Sequence, residues 1–445
     1  MPSALADWLT YLESLHPKTI ALGLERVEQV KQRLNLNPDF PIIVVGGTNG
    51  KGSVCAMLES VLHAAGYKVG CYTSPHLLHY SERVRISKQI ASDPELCASF
   101  EKIEQVRGDI PLTYFEFGTL AAMQCFISHK VDVAILEVGL GGRLDAVNVF
   151  DADCAVVTSV DIDHTDYLGD TREKIAYEKA GIFRKGKVAI CADWDVPQAI
   201  RSHAQKIGAE IWCIGNEFGF EMFDMDDPHP LISFPIQQAE GSRKGGRGQW
   251  NYRSRVGSRN ALPYPALRGA FQLHNASAAL AVLDVLQDIL PVSMESLRRG
   301  LVEVGLSGRF QIIPGKPMLI LDVAHNPQAA RSLALNLTDL PISTHTYAVF
   351  SMLKDKDIAG VAGALSLYVD TWLVAGIDTF RGATAEELVR VLRQGGVRGE
   401  ILTFGTISEA VTYAYNAANE TDRIAVFGSF HTVAEVMHAR GLSII

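Results

Sequence analysis

A glycine-rich loop between a predicted strand and a predicted helix is the feature that most limits the fold of this chain. Residues 41–45 form a short apolar run, as in strands buried on both faces of a parallel sheet. The loop that follows reads GGTNGKGS over residues 46–53, and apolar residues then recur at helical spacing up to Ala65. The glycines let backbone N–H groups point at an anion, while the helix N-terminus and Lys51 add positive charge. We therefore predict a phosphate-binding loop, although Gly52 stands between the lysine and the hydroxyl residue of the usual G-x-x-x-x-G-K-[ST] pattern.

Further apolar runs alternate with helical segments along the chain, which predicts an α/β fold with a mainly parallel sheet. The first series of runs covers residues 68–72, 131–136, 154–160, 188–191 and 211–214. The second series, which starts near Ser307, covers residues 318–321, 347–350, 372–375, 401–404 and 424–427. We expect a mainly parallel sheet domain that contains the P-loop, followed by a smaller Rossmann-like α/β domain. Because Gly305 and Gly308 interrupt the helical pattern, the predicted domains are residues 1–304 and 305–445.

One segment breaks the alternation. Residues 240–259 contain six basic residues, one acidic residue and five glycines. We interpret residues 237–265 as a solvated loop or an irregular hairpin, and a nucleic-acid-binding tail is the alternative. The whole chain has 41 basic and 50 acidic residues, a net charge of −9, which argues against a general nucleic-acid binder.

Cysteine usage and hydropathy indicate the cellular compartment. The seven cysteines are odd in number and show no C-x-x-C spacing, so we expect neither a disulfide framework nor structural zinc. No apolar run approaches the roughly 18–20 residues that span a bilayer, and the N-terminal sequence lacks the pattern of a secretory signal. We therefore predict a cytoplasmic enzyme with reduced thiols, and neither nucleic acid nor membrane as a partner.

Two polar residues follow predicted buried strands. Glu137 comes directly after the run 131–136, where a carboxylate near a phosphate loop is placed to bind Mg²⁺; capping of the next turn is the alternative. His164 lies in the acidic stretch 161–166, and an ordinary loop histidine stays open because Mg²⁺ prefers oxygen ligands. The glycines after Glu137 could pass for a dinucleotide-binding fingerprint. Leu144 stands where its last glycine is needed, which weakens a dehydrogenase interpretation.

A further helix is predicted from its start signal. Asp170 with Glu173 resembles a capping box, and Lys179 would then be a surface lysine of that helix, paired with an acid.

The second domain contains its own polar residues after a strand. Asp322 and His325 follow the run 318–321, at the edge where parallel sheets bind ligands. Arg309, near the domain boundary, could bind phosphate groups when the domains close, and a surface arginine is the alternative.

Several motifs together resemble the folylpolyglutamate synthases of the Mur ligase superfamily. The loop form GTNGKGS is the one seen in Mur ligases. The other motifs are, in the family's order, TSPHL at 73–77, EVGLGGRLD at 137–145, DHTDYLG at 163–169, EKAGI at 178–182, SGRF at 307–310 and DVAHNP at 322–327. The resemblance covers nearly the whole chain, with Val323 replacing the glycine of the family's usual DGAHNP.

The resemblance implies an ATP-dependent carboxylate–amine ligase. Such an enzyme adds L-glutamate to 7,8-dihydropteroate and to reduced folates. A substrate carboxylate takes the γ-phosphate of ATP, and the glutamate amine then displaces phosphate from the acyl phosphate. The implied cofactors are two Mg²⁺ ions beside ATP, with a monovalent cation such as K⁺ as a further candidate, and the implied assembly is a monomer. A cleft that closes between the domains would shield the acyl phosphate from water.

The resemblance also assigns residues to roles. Nucleotide contacts fall on Thr48, Asn49, Gly50, Lys51, Gly52, Ser53, Asn275, Arg309 and Asp322. Metal ligands fall on Ser74, Glu137, His164 and Lys179, the last as a carbamate. Substrate contacts fall on Thr113, Phe115, Arg143 and Asp145, where Phe115 would stack on the pteridine and Asp145 would accept its N–H donors. Catalytic roles fall on Lys51, His164, Lys179, Arg309, Asp322 and His325. Core packing is the alternative for Phe115, and helix capping is the alternative for Asn275.

Two other functions share the phosphate loop. A cell-wall Mur ligase would add an amino acid to a UDP-linked muropeptide, but the TYFE segment at 113–116 and the stretch 140–146 favour folate. A non-catalytic nucleotide switch would bind nucleotide without releasing phosphate in response to glutamate.

Overall fold

The computed structural model describes residues 2–16, 20–224, 227–231, 249–269 and 271–445. Contacts divide the described residues into two compact units. The first unit contains the described residues up to 231 together with 249–265 and 273–304, and the second contains 305–445 together with the described part of 266–272. The predicted ranges place the stretch 266–272 in the first domain, whereas the contacts group its described part with the second unit.

An eight-stranded sheet forms the centre of the first unit, in the order β4-β3-β2-β5-β1-β6-β7-β8. Its strands are β1 (Ile42–Gly46), β2 (Val69–Tyr72), β3 (Val84–Ile86), β4 (Gln89–Ile90), β5 (Val133–Glu137), β6 (Cys154–Val157), β7 (Val188–Cys191) and β8 (Glu210–Cys213). The helices are α1 (Leu5–Ser14), α2 (Glu25–Arg33), α3 (Lys51–Ala64), α4 (Asp93–Arg107), α5 (Tyr114–His129), α6 (Thr165–Leu168), α7 (Arg172–Ala180), α8 (Gln198–Ile207), α9 (Gln272–Val285) and α10 (Met294–Glu303). Every predicted apolar run of this unit overlaps one of the parallel strands.

The three central strands are buried along their whole length because helices cover both faces of a parallel sheet. β1 pairs in parallel with β5 on one side and β6 on the other. The carboxyl ends of these three strands therefore meet at one edge of the sheet, where the phosphate loop begins. Beyond β2 the sheet turns antiparallel through β3 and β4, which the sequence did not reveal.

A small antiparallel sheet in the same unit has the order β10-β9-β11-β12. Its strands are β9 (Phe218–Asp224), β10 (Asp227–Leu231), β11 (Gln249–Ser254) and β12 (Gly257–Pro263). β11 and β12 form a hairpin whose register shifts between Trp250 and Tyr252, and both of these side chains are fully buried. The irregular hairpin is confirmed for this part and the solvated loop is wrong, while the predicted residues 237–248 lie outside the described residues.

The second unit contains a six-stranded sheet in the order β13-β14-β18-β15-β16-β17. Its strands are β13 (Gln311–Ile313), β14 (Met318–Leu321), β15 (Thr346–Phe350), β16 (Thr371–Ala375), β17 (Glu400–Phe404) and β18 (Arg423–Phe427). Its helices are α11 (Pro327–Thr338), α12 (Ile358–Leu365), α13 (Ala385–Gln394), α14 (Ile407–Ala417) and α15 (Phe430–Ala439). All pairings except that of β13 with β14 are parallel, and the predicted fold class is confirmed. Among the described helices, none has the length and apolar character needed to cross a membrane.

Candidate active site

The phosphate loop connects β1 to α3, and its shape depends on Gly50. This residue has φ = 87°, a left-handed conformation that favours glycine. A Cβ at this position would lie 2.5 Å from Oδ1 of Asn275, so the loop and α9 approach each other too closely for a larger residue. Asn275 is 5% exposed and lies inside α9, so it does not cap that helix. The structure thus brings the predicted nucleotide residues of two distant segments together.

The loop is braced by the residues that follow β6. The N–H of Thr48 donates to the carbonyl of Ser159 at 2.7 Å, and the N–H of Asn49 donates to the Ser159 hydroxyl at 3.0 Å. The Thr158 hydroxyl donates to the carbonyl of Asn49 at 2.6 Å. Thr158 and Ser159 are not among the predicted site residues, although two hydroxyl residues at the end of a predicted parallel strand are a usable signal.

Lys51 is the first residue of α3 and its side chain lies along the loop. The Nζ atom donates to the carbonyls of Gly47 at 3.1 Å and Thr48 at 3.2 Å. Gly52 and Ser53 continue the first helical turn, whose N–H groups have no partner within the helix itself. The loop therefore combines a full positive charge with N–H donors at a helix N-terminus, which is an arrangement that binds phosphate.

Glu137 and Ser74 meet at the carboxyl end of β5. Glu137 is the last residue of β5 and is 4% exposed. The backbone N–H of Ser74 donates to Oε2 of Glu137 at 2.9 Å. Since β5 pairs directly with β1, this carboxylate lies next to the strand that leads into the phosphate loop. Two predicted oxygen ligands are thus brought together.

His164 lies at the N-terminus of α6 in a left-handed conformation, with φ = 53°. Its Nε2 atom lies 3.9 Å from Oδ2 of Asp163, and the ring is partly exposed. Within the ranges that the structure describes, no three His, Cys, Asp or Glu side chains form a metal-binding group. The predicted ligand set does not require one, because it also uses a serine hydroxyl and a modified lysine.

The predicted surface position of Lys179 is wrong. Lys179 lies in α7 and is only 4% exposed. The start of α7 also differs from the prediction, because the Thr171 side chain, not that of Asp170, accepts the N–H of Lys174. Glu173 instead accepts N–H groups from the start of α8.

Burial changes the chemistry of this lysine. Desolvation and the nearby charge of Lys51 lower the pKa of Lys179 to about 7, against the opposing effect of Asp163 and Asp145. A substantial fraction of the amine is therefore neutral near pH 7, and a neutral amine is a nucleophile.

Thr113 and Phe115 lie at the start of α5. The Thr113 hydroxyl accepts the N–H of Glu116 at 3.2 Å, and the Glu116 carboxylate accepts the N–H of Thr113 at 2.7 Å. Phe115 is half-buried, with its ring centroid 5.8 Å from that of Tyr72. A Cβ on Gly139 would lie 2.7 Å from the Phe115 ring, so this ring packs on the loop after β5. Packing accounts for one side of Phe115 and leaves part of the ring accessible.

Arg143 and Asp145 both have protein partners. Arg143 pairs with Glu178, with 2.9 Å between Nη2 and Oε1, and its side chain keeps 40% exposure. Asp145 is 4% exposed, and its two oxygens accept the N–H groups of Leu140 at 2.8 Å and Val147 at 3.1 Å. Burial raises the pKa of Asp145 to about 7 despite these hydrogen bonds. The Asp145 carboxylate therefore organises the loop, and its contact with the pteridine stays a prediction.

In the second unit, Asp322 organises the backbone next to Arg309. The Asp322 carboxylate accepts the N–H groups of Phe310 and Ala324, both at 2.8 Å. Burial raises the pKa of Asp322, while the charge of Arg309 opposes this. Asp322 therefore fixes the segment that carries Arg309.

Arg309 and His325 share an aromatic neighbour. The Arg309 guanidinium lies 5.1 Å from the centroid of the Phe430 ring, and the His325 ring lies 6.2 Å from the same ring. Nδ1 of His325 is 2.8 Å from the carbonyl of Val323, and because a carbonyl only accepts, Nδ1 carries the proton of this hydrogen bond. Because this contact uses the backbone of Val323, the replacement of the family's glycine does not disturb it.

Comparison with known families agrees with this arrangement. The Mur ligase middle domain matches residues 45–283, and the Mur ligase glutamate ligase domain matches residues 308–430. The first match contains the phosphate loop and the Glu137 site, and the second contains Arg309, Asp322 and His325. Fold and site therefore define a ligase of the Mur type.

Individual proteins that are similar over nearly the whole chain indicate which kind of Mur-type ligase this is. The dihydrofolate synthase/folylpolyglutamate synthase of Escherichia coli K12 is 45% identical over 436 residues, which cover 98% of this chain and 95% of that protein. A solved structure of E. coli FolC in complex with DHPP and ADP has 44% identity, a TM-score of 0.88 and 99% coverage of both chains. A bifunctional folylpolyglutamate synthase/dihydrofolate synthase with Mn, AMPPNP and L-glutamate bound has 46% identity and a TM-score of 0.86, covering 99% of this chain and 98% of that one. The chain belongs to the dihydrofolate synthase/folylpolyglutamate synthase family.

Proposed function

We propose that this protein is an ATP-dependent ligase that adds L-glutamate to dihydropteroate and to reduced folates. The proposal depends on one observation. The phosphate loop, with Gly50 and Lys51, packs closely against Asn275, and the buried Glu137 ends the strand next to the one that leads into this loop. Relatives that share 44% and 46% of their residues with this chain hold ADP with DHPP, and AMPPNP with Mn and L-glutamate. ADP is a product of such a reaction and L-glutamate is one of its substrates, while AMPPNP with Mn stands in for ATP with its divalent cation.

The reaction proceeds in two displacements. An oxygen of the substrate carboxylate attacks the γ-phosphorus of ATP, and the bond to the oxygen of the leaving ADP breaks, which gives an acyl phosphate. The amine of glutamate then attacks the acyl carbon, loses a proton and expels inorganic phosphate, which leaves an amide. Lys51 and the N–H groups of the loop reduce the repulsion between the attacking carboxylate and the triphosphate.

A divalent cation belongs to this site, and the donors present suit one. The backbone N–H of Ser74 bonds to the buried Glu137 carboxylate, so these two residues, with a hydroxyl and a carboxylate, are neighbours. Oxygen donors of this kind are what Mg²⁺ prefers. We propose two Mg²⁺ positions, one held by Ser74 and Glu137 and the other by Glu137, His164 and carbamylated Lys179. A bound divalent ion neutralises phosphate charge. A K⁺ ion is part of the proposal only as a further candidate, supported by the resemblance alone.

Carbamylation of Lys179 is supported by its surroundings. The neutral amine attacks the carbon of CO₂, the new N–C bond forms and a proton leaves, so that a cation is replaced by an anionic oxygen donor. The lowered pKa of Lys179 supplies the neutral amine. The positive charge of Lys51 acts in the same direction twice. It lowers the pKa of the Lys179 amine, and it would attract the negative charge of the carbamate that forms there.

The remaining residues have proposed roles in binding. Arg309 contacts the phosphates of ATP, and the segment that carries it is fixed by Asp322; His325 acts beside Arg309. Phe115 offers the accessible part of its ring to the pteridine, and Arg143 offers its exposed guanidinium to a substrate carboxylate. A monomeric, cytoplasmic enzyme completes the proposal, and the seven free thiols support that location.

A substrate assay with the purified full-length protein tests the proposal. ADP release is measured with ATP and glutamate in the presence of dihydropteroate, of tetrahydrofolate, or of neither. We expect glutamate-dependent ADP release with both pteridines. Release that needs a UDP-muramoyl substrate would instead indicate a cell-wall ligase, and nucleotide binding without glutamate-dependent release would indicate a switch.

A further inference from the structure

A buried ion pair connects the helix after the phosphate loop to the strand next to Ser74. Glu59 lies in α3, where every residue from 53 to 62 is buried, and is itself 5% exposed. Arg85 lies in β3, opposite Cys71 of β2. Its Nε atom lies 3.1 and 3.0 Å from the two carboxylate oxygens of Glu59, and its Nη2 atom lies 2.8 Å from the second oxygen. The pair is therefore bidentate and largely removed from water.

The other donors of Arg85 reach the segment that contains Ser74. Nη1 donates to the hydroxyl of Thr73 at 3.1 Å and to the carbonyl of Glu82 at 3.2 Å. Thr73 precedes Ser74 directly, and Ser74 donates its N–H to Glu137. One guanidinium thus connects α3, Thr73 and the end of the 73–83 segment.

The Glu82 side chain organises the rest of this segment. Its carboxylate accepts the N–H groups of Leu77, Leu78 and His79 at 2.8, 2.7 and 2.5 Å. Arg85 holds the carbonyl of the same residue. These side chains add to the backbone bond from the Thr73 N–H to the carbonyl of Arg83, at 2.9 Å, in holding the backbone on both sides of Ser74.

Stability alone does not account for a charged pair at this place. A buried ion pair can often be replaced by apolar residues of similar volume without loss of stability, whereas removal of one partner is destabilising. A lysine could not replace the arginine, because only the planar guanidinium donates to several fixed partners at once. The arrangement has the properties of a positioning device.

We propose that Arg85, held by Glu59, is a positioning residue that fixes Thr73 and Ser74 and thereby presents Ser74 and Glu137 to the divalent cation. This inference rests on the proposed function, because the divalent cation is part of that proposal. Neither Arg85 nor Glu59 touches the cation itself; they act through the backbone of the 73–74 segment. Groups that orient metal ligands typically change metal affinity about 10- to 100-fold when they are mutated.

Mn²⁺ binding in the presence of AMPPNP tests the proposal without relying on turnover. The free Mn²⁺ signal is measured by electron paramagnetic resonance while the full-length protein is titrated. We expect Arg85→Met to weaken Mn²⁺ binding by about 10- to 100-fold, and Arg85→Lys to leave it similarly weak. Arg107→Met is the matched control, because Arg107 makes a bidentate pair with Glu104 in α4, at 2.6 and 2.7 Å, with comparable burial.

A double variant separates positioning from stability. Glu59→Leu combined with Arg85→Met removes both charges, so the protein should unfold at nearly the wild-type temperature. Mn²⁺ binding by this variant should remain about as weak as in Arg85→Met. Wild-type Mn²⁺ affinity in the folded double variant, or equal weakening in Arg107→Met, would overturn the inference. Failure of wild-type protein to bind Mn²⁺ with AMPPNP would instead contradict the proposed function.

Discussion

The backbone N–H of Ser74 and a carboxylate oxygen of Glu137 lie 2.9 Å apart, at the end of the strand that pairs with β1. Glutamine at position 137 would keep an acceptor for this N–H while removing the negative charge. We therefore expect Glu137→Gln to fold normally but to lose kcat by on the order of 100-fold or more, because the divalent cation loses its anionic ligand. Steady-state ADP release and Mn²⁺ titration measure both effects. Wild-type kcat in this variant would remove Glu137 from the metal site.

Lys51 supplies the full positive charge of the phosphate loop. Its Nζ atom bonds only to carbonyls of the loop among the contacts described above, so truncation should not disturb the core. We expect Lys51→Ala to lower kcat by about 10²- to 10³-fold with an unchanged unfolding temperature. Lys102→Ala, at an exposed position of α4, is the control. Near-normal turnover in Lys51→Ala would exclude the loop from the mechanism.

The lowered pKa of Lys179 makes its modification dependent on pH. Because the pKa is about 7, the reactive neutral amine is present above this value and is lost as the pH falls below it. Protein stripped of CO₂ at low pH should thus be inactive, and bicarbonate should restore activity faster above pH 7 than below it. Native mass spectrometry should find the chain heavier by one CO₂. An unmodified mass in fully active protein would contradict the carbamate, and Lys179→Met should show neither the mass change nor the activity.

His274 makes the stability of the first unit sensitive to acid. The residue is 6% exposed in α9, its ring stacks on Trp194, and burial lowers the pKa of His274 from 6.5 to about 4. Between these values the unfolded chain binds a proton that the folded chain does not. The contribution of neutral His274 to the free energy of unfolding is therefore fully present above pH 6.5. As the pH falls towards 4, the free energy of unfolding decreases by up to about 3 kcal/mol.

Urea unfolding as a function of pH measures this contribution. The free energy of unfolding of wild-type protein should fall more steeply between pH 6.5 and 4 than that of His274→Gln, which keeps an N–H donor but does not titrate. Subtracting the two curves removes the other acidic groups. Parallel curves would show that His274 has the same pKa in the folded and the unfolded protein, which would contradict the lowered value.

The sequence predicted most of the sheet because buried parallel strands need continuous apolar runs, and nearly every such run is a strand. It did not reveal β3, which is short and contains the charged Arg85. The predicted surface position of Lys179 failed for a related reason. A short helix with charged residues looks exposed, but a Cβ on Gly142 would lie 2.7 Å from the carbonyl of Glu178, so the loop after β5 covers this helix. Contacts between segments far apart in sequence decide such cases.

The sequence named individual residues of the candidate site, but it did not predict the contacts that each of them makes. Glu137 and the phosphate loop follow from the rule that ligands bind at the carboxyl ends of parallel strands. The same rule could have identified Thr158 and Ser159. Asp145 shows the limit, since a carboxylate in a recognised motif can bond to its own backbone, and only the three-dimensional position of the N–H groups reveals this.

The most direct test of the central claim follows one oxygen atom through the reaction. Dihydropteroate labelled with oxygen-18 in its carboxylate is incubated with the enzyme, ATP and glutamate, and the released phosphate is analysed by mass spectrometry. If the carboxylate takes the γ-phosphate before glutamate attacks, one labelled oxygen leaves with the inorganic phosphate. Phosphate without label, formed together with the glutamylated product, would contradict the acyl phosphate.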